Sequence, residues 1–161
     1  MLFRSGRQIA TELIRMAEPL VQGFDDPAER VAAGIRLVAR TAIDQPVMAA
    51  FLVRLGWPDV RSEDMLLQFV RRDLSAGIRA KRFARMPITL ALNIVAGSVI
   101  GAAHCMLHPD CEPDFAEQTA AAALRALGLD RDEAKTLSTR RLGRIEWPGD
   151  GLFAETLALA G

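Results

Sequence analysis

The stretch PITLALNIVAGSVIGAAHCMLH, Pro87 to His108, is almost entirely apolar or small. As a helix of about 22 residues it spans roughly 30 Å, enough to cross a bilayer. Asn93, Ser98 and His104 interrupt it, and Gly97-x-x-x-Gly101 leaves a bare strip where another backbone can come close. A helix apolar on nearly every side needs cover from its own protein, a partner subunit or lipid. Asn93 and His104 are costly in hydrocarbon and no second stretch of this kind exists, so no membrane span is expected.

Outward from this segment the periodicity is helical throughout, with no alternating strand pattern. Residues 7–22 carry Ile9, Leu13, Met16 and Leu20 at spacings of three and four, and Gly23 stops that helix. Asp26-Pro27 restarts it as N-cap and first helical residue, with Val31, Ile35, Val38 and Ala42 inward and Arg36, Arg40 and Asp44 on the opposite face. Gln45-Pro46 is a break, a short helix follows to Leu55, and Gly56-Trp57-Pro58 closes it. Ser62 starts a longer helix to about residue 83, lined by Leu66, Phe69, Val70, Leu74, Gly77 and Ile78, with Arg79, Lys81, Arg82 and Arg85 at its end. After Pro87 to His108, Asp114-x-x-Glu117 and Asp130-x-x-Glu133 read as capping boxes for two further helices, the first ended by Gly128. The expected fold class is all-α, a compact bundle of about seven helices. The domain covers residues 1–141, and the tail 142–161 gives no clear reading.

Composition narrows the function. The 161 residues suit one domain, and 20 basic against 20 acidic residues leave no net charge. That balance gives no general attraction to nucleic acid or to an anionic membrane, and no basic face is evident. Two cysteines, Cys105 and Cys111, are too few to staple a secreted scaffold and read as reduced thiols. The start MLFRSGRQ has no apolar signal core, so a cytoplasmic location is expected.

Chemistry-bearing clusters are few. His104 and His108 stand at i and i+4, with Cys111 in the following turn, the one set that resembles metal ligands. Cys105 lies about 100° away round the helix and Pro109 disturbs the turn, so ordinary core and helix-end histidines are the preferred reading, with no metal and no cofactor. No phosphate loop, serine elbow or nucleophile–base pair is present, and Asp25-Asp26 and Glu63-Asp64 are explained by helix dipoles. An enzyme is not expected.

Three phrases in order, DPAERVAAGIRLVARTAIDQP (Asp26 to Pro46), DLSAGIRAKRF (Asp73 to Phe83) and IVAGSVIGAAH (Ile94 to His104), resemble the C-terminal regulatory domain of TetR/AcrR-family transcriptional regulators. FAEQTAAAALRALGLDRDEA (Phe115 to Ala134) is similar to that domain's final long helix and the turn after it. The resemblance covers roughly residues 7–140. It departs from the family at the start, where a three-helix DNA-binding unit with a helix-turn-helix normally precedes this point. DNA contact is therefore expected only through a helix-turn-helix not present in this chain, as in a fragment, a truncated reading frame or a regulator that lost its reader.

The resemblance implies a homodimer, with the last two long helices, residues 88–107 and 115–127, pairing with their copies as a four-helix interface. Its residues would be Ala96, Gly97, Ile100, Gly101, His104, Thr119, Ala122, Ala123 and Ala126. It also implies an effector pocket enclosed by the first five helices. Met16, Met48, Phe51 and Phe69, which taken singly suit plain core, then become wall residues. Thr41, Gln68, Asn93 and an inward-turned Arg72 become the orienting polar groups for a small, largely apolar effector. The expected function is the sensing and dimerisation module of a regulator, with repression the family's usual mode. A ligand-free helical interaction module is the other reading.

Overall fold

The helix over Pro27–Asp44 occupies the middle of the molecule and touches every other helix. In the computed structural model, which describes residues 2–56 and 65–147, the elements are α1 (Leu2–Gln22), α2 (Pro27–Asp44), α3 (Pro46–Leu55), α4 (Met65–Arg79), α5 (Ile88–Met106), α6 (Phe115–Ala126) and α7 (Arg131–Thr139). All regular structure among the described residues is helical, as the periodicity implies. The Trp57-Pro58 break, the Ser62 helix start and the tail beyond Trp147 lie outside the described residues.

Local signals place the helix ends. The Asp26 carboxylate accepts the Ala28 N–H at 2.9 Å and Pro27 opens α2. Asp130 accepts the N–H groups of Asp132 and Glu133 at the start of α7. The other expected capping box does not form. Asp114 makes no side-chain cap on α6 and instead accepts from the Gln118 side-chain amide at 2.9 Å, while Glu117 is drawn to arginines of α2.

The expected continuation of α4 to residue 83 also fails, for a packing reason. Lys81 takes a left-handed φ of 57°, and the Gly77 carbonyl accepts both Arg82 N–H (2.8 Å) and Phe83 N–H (3.2 Å). The chain thereby doubles back and lays the buried Phe83 ring on Gly77, where a Cβ would stand only 2.2 Å from the ring. Gly77 thus marks a close approach within the fold. At the far end of α6, Gly128 (φ 109°) turns the chain so that Leu127 C=O accepts Ala84 N–H at 2.8 Å, pinning α6 to the α4–α5 turn.

The main core joins α2, α4, α5, α6 and α7 through Val31, Ile35, Leu74, Phe83, Leu92, Leu124 and Leu137. A second cluster holds α1 to α2 through Leu13, Val21 and Leu37 and extends to Leu142, Ile145 and Trp147, so the chain stays on the domain beyond residue 141. A third, built largely of alanines (Ala39, Ala42, Ala49, Ala102, Ala116), seats α3, α5 and α6 on the last turns of α2. The apolar α5 therefore finds its cover on one side from α2, α3, α4 and α6. Its other side stays open.

Ion pairs between helices supplement the apolar core. Arg36 is only 4% exposed, which corrects its placement on the face opposite the buried stripe, whereas Asp44 on that face is exposed. Its Nε donates to Glu117 at 3.2 Å and an Nη to the Arg140 carbonyl at 2.8 Å, while Arg40 also pairs with Glu117. Burial, together with the Arg40 charge, pulls the Arg36 pKa below the ordinary guanidinium value, and Glu117 opposes that shift. Arg82 grips Asp26 at 3.0 and 2.6 Å and reaches Glu133 at 2.8 Å, linking the starts of α2 and α7 to the α4–α5 turn.

Glu117→Ala leaves Arg36 buried beside Arg40 with no carboxylate. Urea unfolding should show a loss on the order of 3 kcal/mol, against roughly 1 kcal/mol or less for Arg40→Ala at the more exposed position. Acid provides a separate test. Partial burial works to raise the Asp26 pKa, but the hydrogen bonds from Arg82 and Ala28 and the charges of Arg82 and Arg140 outweigh it, so the folded value lies below the ordinary 3.8. A depressed carboxylate stabilises the fold above its unfolded pKa and loses that contribution as pH falls through the folded one. Melting temperature should drop below about pH 4, and Asp26→Asn, which keeps the capping oxygen, should flatten that limb.

Candidate functional site

A polar cluster in the seam between α1, α2 and α4 gathers part of the expected pocket. Asp73 stands on the inner stripe of α4, one residue before the fully buried Leu74, and is 5% exposed. A carboxylate there needs partners. Arg30 of α2 supplies one at 3.0 Å and also donates to the carbonyls of Phe24 and Asp25, both at 3.1 Å. Arg72 supplies the other with two bonds to Asp73, 3.1 and 3.2 Å, and reaches Glu18 on α1 at 2.9 Å. The bond to Asp73, opposed by burial and reinforced by Glu18, raises the Arg72 pKa above its ordinary value. The Arg72 guanidinium also lies over the Phe69 ring, 5.1 Å from its centre. The result is a charged girdle with an aromatic face, partly open to solvent at Arg72.

The expected pocket residues divide. Phe69 and Arg72 belong to this cluster, and the half-buried Met16 lies two positions from Glu18, packed in the second apolar cluster. Thr41 is fully buried on α2, but its hydroxyl is spent on the Leu37 carbonyl at 3.1 Å. Gln68 is exposed. Asn93 donates to the Thr89 carbonyl at 2.8 Å, and its spacing to Gly97, Ile100 and His104 puts it on the open side of α5, away from the buried Ala91, Leu92 and Val95. The side chains of Met48 and Phe51 lie outside the described residues. Sequence reasoning missed Glu18, Arg30 and Asp73. The legible signal was Asp73 itself, a carboxylate at the stripe spacing of Val70, Leu74 and Gly77.

A cleft of about 250 Å³ opens elsewhere, at the C-terminal end of α2. Leu37, Arg40, Ile43 and Asp44 line it with Pro113 and residues 143–145. Among the described residues, none of the expected pocket side chains lines this cleft. The histidines stand edge to face, ring centres 5.4 Å apart, and no three His, Cys, Asp or Glu side chains converge as a metal set among the described residues.

The second candidate surface is the open side of α5 with its α6 neighbour. Leu90 is 50% exposed, Gly101 and His104 are exposed, and Ala96, Gly97 and Ile100 are half-buried. On α6, Ala122 and Ala126 are exposed and Thr119 half-buried, whereas Ala123 is 2% exposed and belongs to the main core of its own protomer. A Cβ built on Gly101 would meet no atom within 4 Å. Nothing inside the protomer therefore requires a glycine at this mid-helix position, where it costs about 1 kcal/mol relative to alanine.

Comparison with known proteins identifies the fold. A family model described as "Tetracyclin repressor-like, C-terminal domain" matches residues 26–140. The ligand-free crystal structure of RolR is similar at 26% identity and a TM-score of 0.71, over 88% of this chain and 75% of that one. RolR in complex with resorcinol is similar at 25% identity and a TM-score of 0.68, over 90% of this chain and 72% of that one. No curated protein sequence matches. The chain belongs to the TetR-like family of transcription regulators, matched over its C-terminal regulatory domain rather than over any enzyme fold.

Proposed function

We propose that this domain is the effector-sensing and dimerising part of a cytoplasmic repressor, and that a small, largely apolar effector binds at the α1–α4 seam. The observation that carries the reading is Arg72, held by Asp73 and Glu18 over the Phe69 ring. Such a site offers an aromatic face for a ring and charged acceptors for one or two hydroxyl groups. The RolR neighbour, whose structure contains resorcinol, supports a ligand of this kind. An occupant at this seam would compete with the Glu18–Arg72 bond and so shift α1 relative to α4. In an intact regulator that shift biases two arrangements of the DNA-binding heads. The described residues of this chain carry the sensor and not the reader, so operator recognition falls to a helix-turn-helix elsewhere.

The partner is a second copy, docked through Asn93, Ala96, Gly97, Ile100, Gly101 and His104 of α5 with Thr119, Ala122 and Ala126 of α6. Ala123 is left out because its own core covers it. Small residues along this stripe allow close helix approach, and burying Leu90 and Ile100 drives it. On this reading Asn93 serves the interface instead of the pocket, and α5 needs no lipid.

Thermal melts with a series of simple phenols, resorcinol included, test the sensor. At least one compound should raise the melting temperature in a concentration-dependent way, by about 2.7 kcal/mol of stabilisation at a hundredfold excess over Kd. Arg72→Ala should abolish the rise, and a flat response across the series favours the ligand-free interaction module. Sedimentation tests the partner: wild type should run as a dimer at tens of micromolar, roughly the range of a weak interface. Gly101→Leu, harmless to the isolated protomer by its open space, should shift it toward monomer. A wild-type monomer sinks the assignment.

A further inference from the structure

We propose that Cys105 and Cys111 form a thiol-oxidation site, at which a hydroperoxide converts the pair to an intramolecular disulfide tying the end of α5 to the α5–α6 turn. The two thiols face each other with Sγ atoms 3.2 Å apart, and both are half-buried, so they are close and reachable. The backbone brings them together. Cys105 C=O accepts His108 N–H at 3.0 Å, and His108 C=O accepts Cys111 N–H at 3.1 Å. Two successive three-residue turns thus fold the chain back so that a residue six positions on reaches the last turn of α5. A disulfide needs its sulfurs about 2.05 Å apart, so closure asks for a shift of roughly 1 Å, within reach of side-chain rotation. They are the only two cysteines in the chain, so no third thiol of the protomer competes.

The chemistry balances with one peroxide. One thiolate attacks the O–O bond, giving a sulfenic acid and releasing the alcohol, or water from hydrogen peroxide. The second thiol attacks the sulfenic sulfur and expels water, so two thiols and ROOH give the disulfide, ROH and H₂O. The sulfurs together lose two electrons, and the peroxide gains them. Partial burial and the hydrogen bond with Cys105 push the Cys111 pKa up to about 11. That thiol stays protonated at neutral pH, and the reaction accelerates as pH rises. The bond would fix the α5–α6 turn against the last turn of α5. Its effect on dimer geometry rests on the interface reading, whereas its formation does not.

The test uses the whole chain, reduced and then freed of reductant, treated with hydrogen peroxide, and alkylated under denaturing conditions. The expected product has no alkylatable thiol, a mass about 2 Da lower for the two lost hydrogens, and the mobility of a single chain on a non-reducing gel. Reductant should restore both thiols, and oxidation should run faster near pH 8.5 than near pH 7, about the trend for a thiolate nucleophile. Cys105→Ser and Cys111→Ser should each stop at a sulfenic or over-oxidised single thiol. Persistence of both free thiols in wild type overturns the proposal, as does a product that is only cross-linked between chains or oxidised without an internal disulfide.

Discussion

Arg36 sits in the middle of the central helix with almost no exposure, and the placement of α6 and of the chain after α7 follows from satisfying it. A guanidinium in that position must find its acceptors inside the protein. Glu117 on α6 and the backbone carbonyl of Arg140 provide them. Glu117 is consequently unavailable to cap its own helix, and α6 is oriented with that edge toward α2. Apolar burial alone would bring these helices together at many angles. The Arg36–Glu117 contact, with Arg40 on the same carboxylate, selects one.

The same logic recurs at the other end of α2. Asp26 caps the helix and is gripped by Arg82, while Arg30 and Arg72 converge on Asp73. Asp26–Arg82 and Arg30–Asp73 join segments far apart in sequence, Arg72 reaches Asp73 from the next position along the chain, and each contact uses arginine, whose planar fork satisfies two acceptors at once. The Asp73 cluster differs from the Arg36 cluster in being open at Arg72. A girdle that is rigid on its buried side and open on the other can exchange one protein contact for a ligand contact, which the Arg36 cluster, shut inside the core, cannot.

Much of the fold was legible because its signals are local. Asp26-Pro27, Gln45-Pro46, Gly56 and Asp130 punctuate the chain as their backbone chemistry dictates, and the stripes between them repeat at helical spacing. The misreadings at Glu117 and at the end of α4 share one cause. A capping carboxylate and a helix continuation are local preferences of about 1 kcal/mol or less, and each yielded to a longer-range contact: Arg36 in one case, the Phe83 ring on Gly77 in the other. The site was less legible for the same reason. Thr41 and Asn93 look like orienting groups when read as isolated polar residues, but one is bonded within its own helix and the other points away from the core.

What the sequence determined by itself was the set of helices, most of their ends and the apolar length of Pro87 to His108, because these depend on residues within a few positions of one another. Only the tertiary structure decided which helix is enclosed. By hydropathy that is α5, yet α5 is covered on one side only, and the Arg-bearing α2 is surrounded. Hydropathy records how much burial a segment tolerates. Which faces are buried depends on the partners that the other helices bring, and Arg36 accepts a buried place because Glu117 and Arg140 are carried to it from eighty and more residues away.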